Sequence, residues 1–166
     1  MIALKVNEVK SFMNGFVAGT LFDPFLTVEG LVVTSITYNF DGALNQEFYD
    51  EEKNDPAPPY KYQPWSDTKA AVFSLIKGTK TPICLRFMLA LKPEKATEML
   101  SRQIQDEDFS YVKNLLLTVK YENGAITLTT GTSYNSFVMS HDADNIWDKN
   151  IQKYLAGKGI DFEIIS

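Results

Sequence analysis

One cysteine and one histidine occur in 166 residues, and that scarcity removes several chemistries at once. A lone thiol cannot close an intramolecular disulfide, and Cys84, set in the apolar run Pro82-Ile-Cys-Leu85, reads as a buried structural thiol. A single imidazole, His141, excludes zinc sites that need two. A basic surplus is also missing: sixteen Lys and Arg face twenty-one Asp and Glu, for a net charge of −5. Nucleic-acid affinity comes largely from neutralising phosphates, so this balance argues against a nucleic-acid partner. No run approaches the ~18 consecutive apolar residues of a membrane-crossing helix. The N-terminus lacks a basic-then-apolar signal profile. The expectation is a cytoplasmic protein with no membrane role.

What is present is core material. Hydrophobic residues make up 45% of the chain and aromatics 13%, enough to fill one well-packed domain and too much for disorder. The opening pattern Met1-Ile-Ala-Leu-Lys5 returns as Met88-Leu-Ala-Leu-Lys92. Each copy leads into an amphipathic helix and then a pair of apolar, Thr-rich strands. After the first copy, Asn7 suits an N-cap, and Val9, Phe12, Met13, Phe16 and Val17 line one face of a helix over 8–18. Gly19 fits a left-handed stop. The run Phe25–Phe40 reads as two strands meeting near Glu29-Gly30, followed by a turn at Asp41-Gly42 and a short strand around Phe48.

The second copy is preceded by the apolar segment Val72–Ile76, a hairpin turn at Lys77-Gly-Thr-Lys80 and the long apolar run Ile83–Leu91. Pro93 suits the first position of a helix over 93–104, with Ala96, Met99, Leu100 and Ile104 on its buried face. An acidic connection containing Asp106-Glu-Asp108 follows. Leu115–Tyr121 and Ala125–Thr130 then flank Glu122-Asn-Gly124, a strong hairpin signal because Asn-Gly accepts positive φ in a tight turn. Ser136–Met139 should add a strand. A helix over 142–156, ended by Gly157 or Gly159, and an alternating strand at 160–164 close the chain.

These readings define an α+β fold: antiparallel sheet carrying two helices in a pseudo-duplicated β-α-β-β arrangement, plus a C-terminal helix and strand. Residues 1–49 form the first half-unit, 70–140 the second and 141–166 the appendage. Between the halves, 50–65 is an acidic loop holding four of the seven prolines, residues that cannot donate to a ladder. A second echo, Thr34–Asn39 against Thr130–Asn135, supports the duplication.

Two resemblances follow. FSLIKGTKTPICLRFML (73–89), TTGTSYNSFVM (129–139), IWDKNIQKYL (146–155) and the opening MIALKV resemble an uncharacterised family of short bacterial proteins from Gram-positive anaerobes. That resemblance spans nearly the whole chain and implies a cytoplasmic protein but no activity. The order of elements over 1–140 is also similar to one domain of a DNA sliding clamp, a likeness of fold that says little about function. Clamp helices present Lys and Arg to phosphates. Here Lys10 is set against Glu8, and Lys95 and Arg102 against Glu94 and Glu98, so neither helix carries the net charge that task needs.

Candidate chemistry is sparse. Ser140-His-Asp-Ala-Asp144 holds the residue types of a catalytic triad, but neighbours in sequence cannot converge as a triad does. Ser140 or Asp142 capping the last helix explains the cluster. Asp142–Asn145 opens like a calcium loop, yet its sixth and twelfth places hold Trp147 and Lys153. Lys77 and Lys80, with Arg86 near them, are the candidate anion-binding residues, although the second Gly and the Gly-Lys-Ser/Thr ending of a P-loop are missing. Alternate hydroxyls along Thr127–Ser133 could line a polar cleft, or simply suit a half-solvated strand. In Pro59-Tyr-Lys-Tyr-Gln-Pro-Trp65, the aromatics Tyr60, Tyr62 and Trp65 either fold back over the sheet or anchor a partner.

With no catalytic residue, metal ligand or cofactor motif assigned, the sequence reads as a non-enzymatic protein-binding or assembly module, by a protein partner or by self-association. An orphan clamp-like nucleic-acid protein is the alternative. An enzyme built on scattered carboxylates such as Asp67 or Asp108 is the third.

Overall fold

The computed structural model describes residues 1–78, 80–103 and 109–166. Ile104, the connection Asp106–Asp108 and Thr79 of the basic turn lie outside the described residues. Strands β1 (Ala3–Val6), β2 (Phe25–Val33), β3 (Thr37–Asp41), β4 (Gln63–Pro64), β5 (Cys84–Leu91), β6 (Val112–Glu122), β7 (Ala125–Tyr134) and β8 (Phe162–Ile164) join in one sheet. Its order is β3-β2-β5-β6-β7-β1-β8, with β4 on β2 beside β3, and every pairing is antiparallel. The α-helices among the described residues are α1 (Val9–Val17), α2 (Trp65–Ile76), α3 (Pro93–Gln103) and α4 (Asp142–Gly157), with short 3₁₀ turns at Gln46–Phe48 and Glu51–Lys53. The α+β antiparallel class read from the sequence is the class observed.

Strand alternation sorts the two faces. Leu85, Phe87 and Leu89 of β5 meet Tyr121, Val119 and Leu117 of β6 in register, and with Leu128, Ile126, Leu4 and Val6 they form the buried face. All four helices lie on that side. Phe16 of α1 and Trp65 of α2 touch Phe87. Leu100 of α3 is in the core, and Asp148 of α4 accepts the Thr130 hydroxyl at 2.5 Å. Among the described residues, the other face carries no helix.

Helix α2 is not foreseen in the sequence, where 50–65 reads as a loop and Val72–Ile76 as an apolar segment running into a hairpin turn. Trp65, Thr68 and Val72 are its buried residues, a helical i, i+3, i+7 spacing. It starts immediately after Pro64 with Asp67 in the first turn, where a carboxylate suits the positive end of the helix dipole. The hairpin between β2 and β3 also turns later than expected, through residues 34–36 instead of at Glu29-Gly30. β2 runs on past Gly30, with a bulge between Thr27 and Glu29.

Other local expectations shift for identifiable reasons. Asn7 does not cap α1; its amide donates to Asp161. Gly19 is absent from the positive-φ residues, and its role is close approach, since a Cβ there would lie 3.2 Å from the Gly15 carbonyl. Phe48 ends a 3₁₀ turn (Gln46–Phe48) and is 79% exposed. Residues 136–139 form no strand, because β7 ends opposite the start of β6. Phe137 and Met139 are left exposed. Cys84 is half-buried at the start of β5 rather than sequestered. Ser140 accepts the Asp142 N–H but the N-cap position itself belongs to His141.

The Ala-Leu-Lys echo does mark a strand-to-helix passage twice, β1 to α1 and β5 to α3. The second echo falls on a turn and the start of β3 in one copy, and on the end of β7 in the other.

Candidate functional site

Helices α3 and α4 stand side by side over one end of the sheet and leave a cleft of about 530 Å³ between them. Its floor is apolar: Phe25 and Leu91 from the strands, Met99 from α3, and Trp147, Ile151 and Tyr154 from α4. Two polar tips on this floor are already engaged. The Trp147 indole donates to the Leu116 carbonyl at 2.8 Å, and the Tyr154 hydroxyl donates to the Leu21 carbonyl. Burial, then the nearby Asp23, raises the Tyr154 pKa, so that hydroxyl stays a donor.

The rim is cationic. Lys95 and Arg102 come from α3 and Lys153 from α4, against one carboxylate, Glu98. Arg102 holds Glu98 at 2.5 Å across one helical turn. The cleft is thus a local positive site on a chain whose net charge is −5. Counting each helix alone conceals this, because α3 is neutral by itself and the surplus appears only when Lys153 of α4 is brought beside it. Lys153 is exposed beside the buried stripe of α4, and nothing in the sequence ties it to α3.

The residues singled out from sequence scatter. Trp65 is fully buried, stacked on Phe16 at 4.4 Å, so it presents nothing to a partner. Tyr60 and Tyr62 are half-buried. Tyr60 donates to Glu94 at the start of α3 at 2.5 Å, with the Lys92 ammonium 5.7 Å from its ring centre. The aromatic stretch therefore folds back and ties the loop to α3. Lys77 and Lys80 are exposed and line neither the cleft, nor the concavity beside it, nor the one on the opposite face of the sheet. Arg86 points from the opposite face of the sheet, near Glu29 and Asp41. Asp67 is exposed in the first turn of α2, and Asp108 lies outside the described residues. The hydroxyls of 127–133 divide between the two faces, Thr130 pairing with Asp148 on the helix side.

A second polar cluster sits where β7 meets α4. His141 is exposed, its Nδ1 lying 3.4 Å from Asp144. Burial opposes ionisation of Asp144, but the Thr132 and Tyr134 hydroxyls and the His141 ring around it outweigh that and lower its pKa. Tyr134, stacked with Tyr111, is pushed up to about 12, first by burial and then by the Asp144 carboxylate. An acid whose pKa is raised by folding holds its proton more tightly in the folded chain. Its stabilising contribution is complete below pH ~10 and is lost as pH rises from there through the folded value. Tyr134→Phe should accordingly flatten the fall in melting temperature above pH ~10, measured against wild type in a thermal melt series. An unchanged alkaline slope would mean that Tyr134 is not the titrating group. Among the described residues, no three His, Cys, Asp or Glu side chains converge to hold a metal.

A helix-lined antiparallel sheet with an apolar, cation-rimmed cleft defines the class of molecule. The chain belongs to the family of unknown function DUF5721, whose model matches residues 15–163. No curated protein and no solved structure matches it. Among the described residues, no helix is long and apolar enough to cross a membrane.

Proposed function

We propose that this protein is a non-catalytic binding module that takes an acidic, amphipathic segment of a protein partner in the α3–α4 cleft. The observation that carries this reading is the pairing of an apolar floor with three cations facing one already engaged carboxylate. Grooves between helices accept the apolar face of an amphipathic helix through side chains at i, i+3, i+4 and i+7. Acidic residues flanking such a face would meet Lys95, Arg102 and Lys153. The polar groups lining the cleft are not disposed for chemistry: Tyr154 is bonded to a carbonyl and Glu98 to an arginine. A nucleic-acid role draws no support from the helix layer, where the charges of the four helices cancel. The single thiol needs no oxidising compartment, and we place the module in the cytoplasm.

The test is a titration with a synthetic helical peptide carrying Leu at helical spacing and Glu on its flanks, followed by fluorescence of Trp147 in the cleft floor. Wild type should bind, and Lys95→Glu combined with Lys153→Glu should weaken binding about tenfold or more. No binding by wild type, or equal binding by the double variant, would overturn the reading. Binding of a medium-chain carboxylate in preference to the peptide would reassign the cleft to a small amphipathic acid.

A further inference from the structure

The face of the sheet without a helix among the described residues carries two like-charge pairs side by side, one basic and one acidic. In one row across it, Arg86 stands directly opposite Lys120 on β5 and β6. In the next row, Glu29 stands directly opposite Asp41 on β2 and β3. Like charges directly opposed on an antiparallel pair are destabilising, and here two such pairs of opposite sign lie on neighbouring strand pairs, since β2 is hydrogen-bonded to β5.

Among the described residues, Arg86, Glu29 and Asp41 make no ion pair, and only Lys120 is answered, by Glu122 at 2.8 Å. Arg86, Glu29 and Asp41 border a concavity of about 430 Å³. Leu31, Val33, Met88 and Leu116 supply half-buried apolar surface on the same side.

We propose that a second copy of this chain covers this face, packed sheet to sheet about a two-fold axis, with Glu29 and Asp41 of each copy over Arg86 and Lys120 of the other. Such an isologous interface is self-complementary by construction, because each contact occurs twice. In the order β3-β2-β5-β6 the acid pair lies two strand positions and one row away from the base pair, so a half-turn about an axis between them superposes opposite signs. Seven strands about 4.8 Å apart and roughly 20 Å long present on the order of 700 Å² per copy. That is close to the ~800 Å² per partner of a standard interface. The dimer is therefore expected to depend on concentration and to weaken with salt, as partly exposed charge contacts do. This surface is separate from the α3–α4 cleft, and the two readings stand or fall independently.

Sedimentation equilibrium on the full chain, at low and high salt and over a wide concentration range, tests the proposal. Wild type should be a dimer at low salt and dissociate as salt rises. Glu29→Arg and Arg86→Glu should each shift the equilibrium toward monomer by about tenfold or more. Mixed in equal amounts they should recover the dimer, because every facing pair is then opposite in sign. Circular dichroism melts establish that each variant is folded, and the milder Arg86→Gln gives the same direction of change should a reversal fail to fold. A wild type that is monomeric throughout, a dimer indifferent to both reversals, or a mixture that stays monomeric would each overturn the proposal.

Discussion

Trp65→Ala is expected to cost about 3–5 kcal/mol of folding stability, the largest loss of any single change considered for this chain. The side chain is fully buried. It stacks on Phe16 at 4.4 Å and meets Phe87 edge-on at 5.1 Å, joining α1, α2 and the sheet in one contact. Its Nε1 also donates to the Phe16 carbonyl at 2.8 Å. Phe16 lies in the last turn of α1, where carbonyls have no partner within the helix, so the indole closes the end of α1 from a separate element. Truncation removes the aromatic volume and strands that carbonyl in a dry site, two penalties that add. Trp65→Phe keeps most of the packing and loses the bond, and should cost about 1–3 kcal/mol. Urea denaturation distinguishes the two: the midpoint should fall in steps from wild type through Phe to Ala at a common slope. A Trp65→Ala protein within ~1 kcal/mol of wild type would mean that this aromatic cluster does not hold the helices to the sheet.

That residue also shows where sequence reading reaches its limit. Trp65 follows a proline-rich, acidic stretch, and composition alone groups it with the loop before it. Only the spacing to Thr68 and Val72 reveals a helix, and that spacing is short and interrupted by exposed residues. Signals tied to backbone geometry fared better. Asn123 and Gly124 both adopt positive φ in the β6–β7 turn, as an Asn-Gly hairpin requires. Gly159, also at positive φ, ends α4 with its N–H on the Ala156 carbonyl while Ile160 reaches the Leu155 carbonyl, a Schellman stop. The β2–β3 turn carries no such mark: Thr34-Ser-Ile36 lacks Gly, Asn and Pro, whereas Glu29-Gly30 advertises a turn it does not make. The cleft was illegible for a different reason. Its floor and rim come from two helices some 50 residues apart in the chain, and neither helix alone has the charge or the concavity.

Gly30 is the position where that misleading signal has a physical explanation, and Gly30→Ala is expected to destabilise the fold by about 1–3 kcal/mol through overpacking. Its backbone is extended strand, outside the positive-φ set, so conformational freedom is not what glycine supplies here. A Cβ at residue 30 would lie 2.2 Å from the Phe87 ring, which occupies the space a side chain would need. Phe87 cannot easily yield. It is fully buried, and Trp65, Phe40 and Phe16 surround it with ring centres at 5.1, 5.3 and 6.4 Å. The cost should therefore depend on Phe87 itself. In a Phe87→Leu background the β-methyl finds room, and adding Gly30→Ala should change stability by less than ~0.5 kcal/mol. A double-mutant cycle by urea denaturation gives the coupling directly, expected at about 1–2 kcal/mol. Equal penalties in both backgrounds would show that the strain arises from the strand backbone, and that the close approach of Gly30 to the ring plays no part in shaping the core.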